Sequence, residues 1–340
     1  MAAAFRLSVL NPGGRDAEQH FGDGAAADGA AHAPVNFHAY AACTGGSFFR
    51  DTDRAIEAGN PVLLLLKPRF REAERALAAL KAAGLRVVVS LKETGLHQIA
   101  DQFHDRLQLE RLMRIFAAAD GYLAPTAEAA DILRTIRRQP QRVAFIPTPY
   151  PLLDSQWDFT RPAEHKHGIF VGTREFKILS RNHAAALFAA REISNTTGAR
   201  VTVYNSERRK GERLLAEIGF SPNRLRVLKE GVSYPEYLRV MAEHKLVLQM
   251  DTSFVPGQVA GDALLCRMPC VGGNGTIDRI AHPATCGAGR SGAELIGMAI
   301  RLLCDAEFEA RTVGESQQHA YARLSFKGAA KELEQFFASL

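Results

Sequence analysis

Cysteines are few and unpatterned. Five stand at 43, 266, 270, 286 and 304, with no CxxC pair and no zinc-like spacing. That excludes a cysteine-built metal centre and a disulfide scaffold. Reduced thiols fit a cytosolic protein. Long apolar runs are missing too. The run "PVLLLL" (61–66), like every other in the chain, falls far short of the roughly 20 residues that span a bilayer, and the run in "MAAAFRLSVLNPGG" is too short for a signal peptide. The expectation is a cytoplasmic protein, with peripheral contact to the inner face of the membrane as the alternative. No charge dominates: 42 basic residues face 37 acidic ones, for a net +5. The basic clusters "RTIRRQPQR" (134–142) and "RRK" (208–210) are too short for a nucleic-acid-binding arm. They read as solvated helix ends, with phosphate or anionic lipid as the alternative contact. GxGxxG is absent from both candidate domain starts, and no Walker loop occurs, which argues against a nicotinamide dehydrogenase. No zinc-like ligand spacing is present, and no metal and no resident cofactor are expected. Nothing in the sequence sets the oligomeric state.

The chain has 340 residues, 46% of them hydrophobic, enough for two domains of about 150 residues each. Short β-rich runs alternate with helical patterns. Residues 5–10, 35–42, 61–66, 85–91, 121–124 and 142–146 read as strands. In 71–84, Ala73, Ala76, Leu77 and Leu80 recur at helical spacing, and Gly84 is a natural stop. Residues 97–120 read as one helix through Ile99, Phe103, Leu107, Leu112 and Phe116. Continuous apolar strands between helices indicate a parallel sheet covered on both faces. The four prolines of 146–168 mark a linker. A second series of strands and helices then runs from 168 to 273, and the tail reads as helices. The expected organisation is a domain at 1–150, a linker at 151–167, a second domain at 168–320 and a closing segment at 321–340. Two open α/β domains in tandem put two sets of strand ends in position to face each other across a cleft, where ligands would bind.

The chemistry-bearing residues follow predicted strand ends. "NPGG" carries Gly13 and Gly14, and "CTGGSFF" carries Gly45 and Gly46. A Gly-Gly pair after a strand lets backbone approach a phosphate, and each pair equally reads as a tight turn. "VVVSLKETGLH" ends a buried strand in Lys92, Glu93 and His97. There a carboxylate or imidazole can take a proton from a hydroxyl; helix capping by Glu93 is the plainer alternative. "VGTREFKILSRNH" places Arg174, Lys177 and Arg181 before a helix start, where cations and helix amides suit a diphosphate. Surface solvation is the stronger reading for Lys177. "FVPGQVAGDALLCRMPCVGG" brings Phe254, Gly257 and Asp262 together. Gly257 permits close backbone approach, and Asp262 could accept from a ribose diol or simply match a helix dipole.

In order and spacing, these stretches resemble the retaining GT-B glycosyltransferases of the group-1 (family 4) type over nearly the whole chain. "AADGYLAPTAEAADIL…RVAFIPTPYPL" is similar to the end of their first domain. "IFVGTRE…SRNHAAALFAARE" is similar to the opening of their donor domain, and "GDALLCRMPCVGG" to its helix and following strand. The resemblance implies two Rossmann-like doubly wound domains. It implies a sugar moved from a nucleotide-diphosphate-sugar donor, hexosyl or deoxyhexosyl, to a glycan, lipid-linked glycan or protein acceptor. It aligns the donor-phosphate cations with Arg174 and Arg181, and an N-terminal His with Lys92 or its neighbour. It puts Asp262 where the family has a ribose-binding Glu, and Phe254 where it has a donor-sugar Glu. Those two departures support a second reading, a catalytically degenerate GT-B binding or partner subunit. A nucleotide-sugar epimerase on the same fold is a third.

Overall fold

The computed structural model describes residues 5–22, 32–103, 105–136, 139–174, 176, 178–221, 223–228 and 232–340. Most of the Ala/Gly-rich stretch lies outside them. The chain divides into two compact units, Met1–Pro151 with Arg323–Leu340, and Leu152–Ala322.

In the first unit the strands are β1 Ser8–Leu10, β2 Gln19–His20, β3 Ser47–Phe49, β4 Val62–Leu66, β5 Val87–Leu91, β6 Gly121–Ala124 and β7 Val143–Phe145. Their order is β2-β3-β1-β4-β5-β6-β7, parallel except for β2. The side chains of β4 explain its unbroken apolar run. Leu64 and Leu66 enter one core with helix Arg71–Ala82, whereas Leu63 and Leu65 enter another with Leu333 and Phe337 of the closing helix Phe326–Ala338. A strand buried on both faces has no polar alternation to display. The closing helix is tied down by Arg86 Nη1, which donates to the Phe337 carbonyl at 2.5 Å, and the chain before it by Tyr150 N, which donates to the Leu324 carbonyl at 2.8 Å.

The second unit holds β8 Ile169–Val171, β9 Val201–Tyr204, β10 Leu225–Leu228, β11 Leu246–Leu248 and β12 Cys270–Val271, all parallel, in the order β10-β9-β8-β11-β12. Ile169, Val171, Val201, Val203, Leu246 and Leu248 pack against helices His183–Thr197 and Gly292–Cys304.

Two readings from the sequence are corrected. Residues 35–42 are not a strand; Phe37–Ala42 is a helix. A short apolar run has no length over which strand and helix periods can be told apart. The stretch 97–120 is two helices, Leu96–Gln102 and Arg106–Ala118. Asp105 breaks it by accepting from the amides of Leu107 and Gln108, an N-cap that starts a new helix.

The first correction moves Gly45 and Gly46. They precede β3 rather than follow a strand. Because β3 runs parallel to β1 in the register Ser8↔Ser47, they lie at the N-terminal edge of the sheet, opposite the strand ends that bind ligands. A Cβ on Gly46 would sit 2.0 Å from the Leu7 carbonyl oxygen. This glycine lets two backbones meet and does not cradle a phosphate.

Candidate active site

In the second unit the chain order reverses between β8 and β11, the crevice where open α/β sheets bind ligands. Three loops converge there, after β8, β11 and β12. Asn182 stands in the left-handed region and donates through Nδ2 to the Met250 carbonyl and to Thr252 Oγ1, both at 3.0 Å. Its side chain makes no capping hydrogen bond to the helix that begins at His183. A helix start at the ligand end of a parallel sheet carries the positive end of the helix dipole, a setting that suits an anion. Beside them, Arg181 Nη1 donates to Asp251 Oδ2 at 2.6 Å; Asp251 is buried and also accepts from the Ser253 amide at 2.8 Å. Arg181 Nε is buried and has no hydrogen-bond partner among the described residues. Arg174 is exposed at the end of β8, its guanidinium 5.7 Å from the Tyr204 ring centre, and its carbonyl accepts from Ser206 Oγ at 2.8 Å.

Phe254 has φ 51°. A bulky aromatic in the left-handed region is a backbone outlier costing on the order of 1–3 kcal/mol, and such outliers concentrate at functional sites. Its amide donates to Asn274 Oδ1 at 3.1 Å, and the Arg279 guanidinium lies 5.4 Å from its ring centre. Asp262 sits in helix Gln258–Leu265, only 2% exposed, and accepts from the Tyr234 hydroxyl at 2.5 Å. Lys177 lies outside the described residues.

Gly257 has a different reason from the one its sequence suggests. Its φ is 92°, and a Cβ would stand 2.8 Å from Asp278 Oδ2. Cβ atoms on Gly273 and Gly275 would stand 2.2 and 2.8 Å from the same carboxylate. Three glycines, one from the loop after β11 and two from the loop after β12, thus enclose the Asp278 side chain, which accepts from Gln249 Nε2 at 2.8 Å. Asp278, Asp251 and Asn274 were missed in the sequence. Asp251 had a signal, a polar residue directly after an apolar strand; Asp278 reads only as a helix-start acid.

Burial pushes the Asp278 carboxyl up to about 7, and the charge of nearby Asp251 adds to the rise. Between its ordinary 3.8 and about 7, the folded chain therefore holds a proton that the unfolded chain has released. Stability from this group is present below that window and is lost as pH rises through it. Gln249 and Cys270 are the other polar side chains in contact with it. Asp278→Asn should remove this slope and stabilise the protein at pH 8 by on the order of 1 kcal/mol. Urea unfolding at pH 5 and pH 8 checks it; an unchanged slope in the variant overturns it.

The candidates of the first unit lie apart from these loops in the sequence and belong to another sheet. Gly13, with φ 63°, and Gly14 shape the turn after β1. Lys92 Nζ donates to Asp16 Oδ2 at 2.6 Å. Glu93 Oε2 accepts from Gln98 Nε2 at 2.6 Å, and His97 is part of the helix Leu96–Gln102. Among the described residues no group of three or more His, Cys, Asp or Glu side chains could hold a metal ion, and no helix is long and apolar enough to cross a membrane.

No protein-family model matches the chain, and no curated protein matches it by sequence. Solved structures do. Anabaena Alr3699/HepE in complex with UDP and glucose superposes with a TM-score of 0.66 at 11% identity, over 99% of this chain and 100% of that one. Sucrose-phosphate synthase from Thermosynechococcus elongatus gives 0.62 at 14%, over 85% and 77%. The lipopolysaccharide outer core galactosyltransferase WaaB gives 0.56 at 14%, over 85% and 78%. A putative UDP-N-acetylglucosamine 2-epimerase from Listeria monocytogenes has the fold as well. At these identities the likeness establishes the fold: α/β with two Rossmann-like units, the GT-B class of these neighbours.

Proposed function

We propose that the chain is a glycosyltransferase that moves a hexosyl or deoxyhexosyl group from a nucleotide-diphosphate-sugar donor to a hydroxyl of a glycan, lipid-linked glycan or protein. The observation that carries this reading is the start of the helix His183–Thr197, with Arg181 and Arg174 on the loop that leads into it, at the switch point of the second sheet. A diphosphate leaving group needs charge stabilisation that grows as the bond to the sugar breaks, and preorganised amides and guanidinium groups provide it. In this reading the cations do the work of a metal, and no resident cofactor is invoked. Retention follows from the resemblance noted above. The ring of Phe254, where the family has a donor-sugar carboxylate, favours a donor lacking one hydroxyl. A fully hydroxylated sugar would leave a polar group unpaired against it, at about 1–3 kcal/mol. A site on the inner face of the membrane is compatible with an acceptor carried on lipid.

The test is a thermal-shift panel of UDP, GDP, ADP, CDP and TDP sugars, since a ligand that binds only the folded state raises Tm. Arg174→Ala should weaken the best nucleotide by roughly 1.5–3 kcal/mol, the range of a charge-assisted hydrogen bond. Equal affinity in the variant would mean that this cation is only a surface charge. The burial of Asp262 against Tyr234 favours the second reading, a binding or partner subunit. It prevails if a nucleotide binds but no donor is ever consumed. Donor converted to its epimer without an acceptor would assign an epimerase instead.

A further inference from the structure

The turn after β1 is built around Asn11. Its side chain is fully buried, and Gly14 lacks a Cβ because one would sit 2.3 Å from Asn11 Nδ2. Asn11 Nδ2 donates to Asp16 Oδ2 at 2.8 Å, and Lys92 Nζ, at the end of β5, donates to that same oxygen at 2.6 Å. Asp16 Oδ1 takes no hydrogen bond from any described residue, and the side chain is 36% exposed. One oxygen is thus clamped from two sides while the other stays open. Burial acts to raise this carboxyl, but the hydrogen bond and charge of Lys92, together with the charge of His38 and the Asn11 hydrogen bond, outweigh it and keep the group below the usual carboxylate range. It is therefore an ionised acceptor at neutral pH.

The position is the switch point of the first sheet, where β1 lies between β3 and β4. The Lys92 charge is already neutralised by Asp16, so an incoming phosphate or carboxylate would meet net repulsion from the open oxygen. An uncharged donor suits it, and on a sugar that describes a hydroxyl group.

We propose that Asp16, held in place by Asn11 and Lys92, accepts a hydrogen bond from a hydroxyl of the sugar that receives the transferred group, and so helps select the acceptor. This inference rests on the transferase reading above, and it differs from that reading's own assignments, which put Lys92, Glu93 and His97 forward. Lys92 becomes a positioning residue.

The probe is a panel of methyl glycosides of glucose, galactose and mannose, followed by saturation-transfer NMR on the full chain with UDP present. At least one glycoside is expected to bind the wild type. Asp16→Ala should lower its affinity about tenfold or more, the loss of a hydrogen bond to a charged group. Asp16→Asn is the second variant. Its amide must turn its oxygen toward Lys92 and Asn11, so the open atom becomes a donor and affinity should again fall. Lys92→Met, which keeps the carboxylate but frees it, should fall less. The UDP-induced rise in Tm should be the same in all three variants, which establishes that they are folded. A wild type that binds no glycoside overturns the proposal. So do Asp16 variants that bind as tightly as wild type and differ only in Tm, because the ion pair would then be a simple tether. Failure of the wild type to respond to any nucleotide would instead sink the transferase reading, separately from this one.

Discussion

Arg181→Ala is expected to destabilise the second unit by about 3 kcal/mol, at the low end of what breaking a buried ion pair costs. The physical cause lies in Asp251. Its side chain is 4% exposed, against 24% for Arg181, so removing the guanidinium strands a carboxylate that water cannot reach. The low end applies because Ser253 still donates to Asp251 through its amide and its hydroxyl. Nucleotide affinity should fall as well, since Asp251 also receives the Asn274 amide through its carbonyl at 3.0 Å and so connects the loops after β11 and β12. The deciding measurement is a double-mutant cycle. Arg181→Ala with Asp251→Asn should recover most of the lost stability, because a neutral carboxamide needs no counter-charge, while nucleotide binding stays weak. If Arg181→Ala lowers binding and leaves urea unfolding unchanged, the ion pair is incidental and Arg181 acts only on ligand.

Gly273→Ala should cost about 3 kcal/mol or more and abolish nucleotide binding. The added methyl would lie 2.2 Å from Asp278 Oδ1 and 2.5 Å from Gln249 Nε2. Both side chains are 2% exposed, so neither can swing into solvent. Overpacking of a rigid interior costs about 1–3 kcal/mol by itself. Here it also breaks the Gln249–Asp278 hydrogen bond, at about 1–3 kcal/mol for a buried polar group left unmatched. Gly297→Ala is the control. It lies in the helix Gly292–Cys304 with nothing within 4 Å of the new methyl, and should gain up to about 1 kcal/mol from helix propensity. A Gly273→Ala protein that melts like wild type and binds nucleotide would falsify the view that Asp278 is the hub of these loops.

Local pattern alone determined a good deal. The alternation of apolar runs with helical spacing announced a parallel α/β chain, because burial of a sheet on both faces leaves its mark on every strand. The loops after β8 and β11 were legible for a related reason. Arg174, Arg181, Phe254 and Gly257 stand just past apolar runs, and a strand end is where a chain in such a sheet reaches its ligand edge. Only the tertiary structure decided what those residues touch. The sequence could not tell that 37–42 is helical, since six residues, five of them apolar, carry no resolvable period. Gly45 and Gly46 went to the wrong edge with it. Nor could it join Asp278 to Gly257, Gly273 and Gly275, or Asp16 to Lys92, 76 residues away. Those contacts are made when separate segments pack, and a buried carboxylate between glycines leaves no periodic trace along the chain.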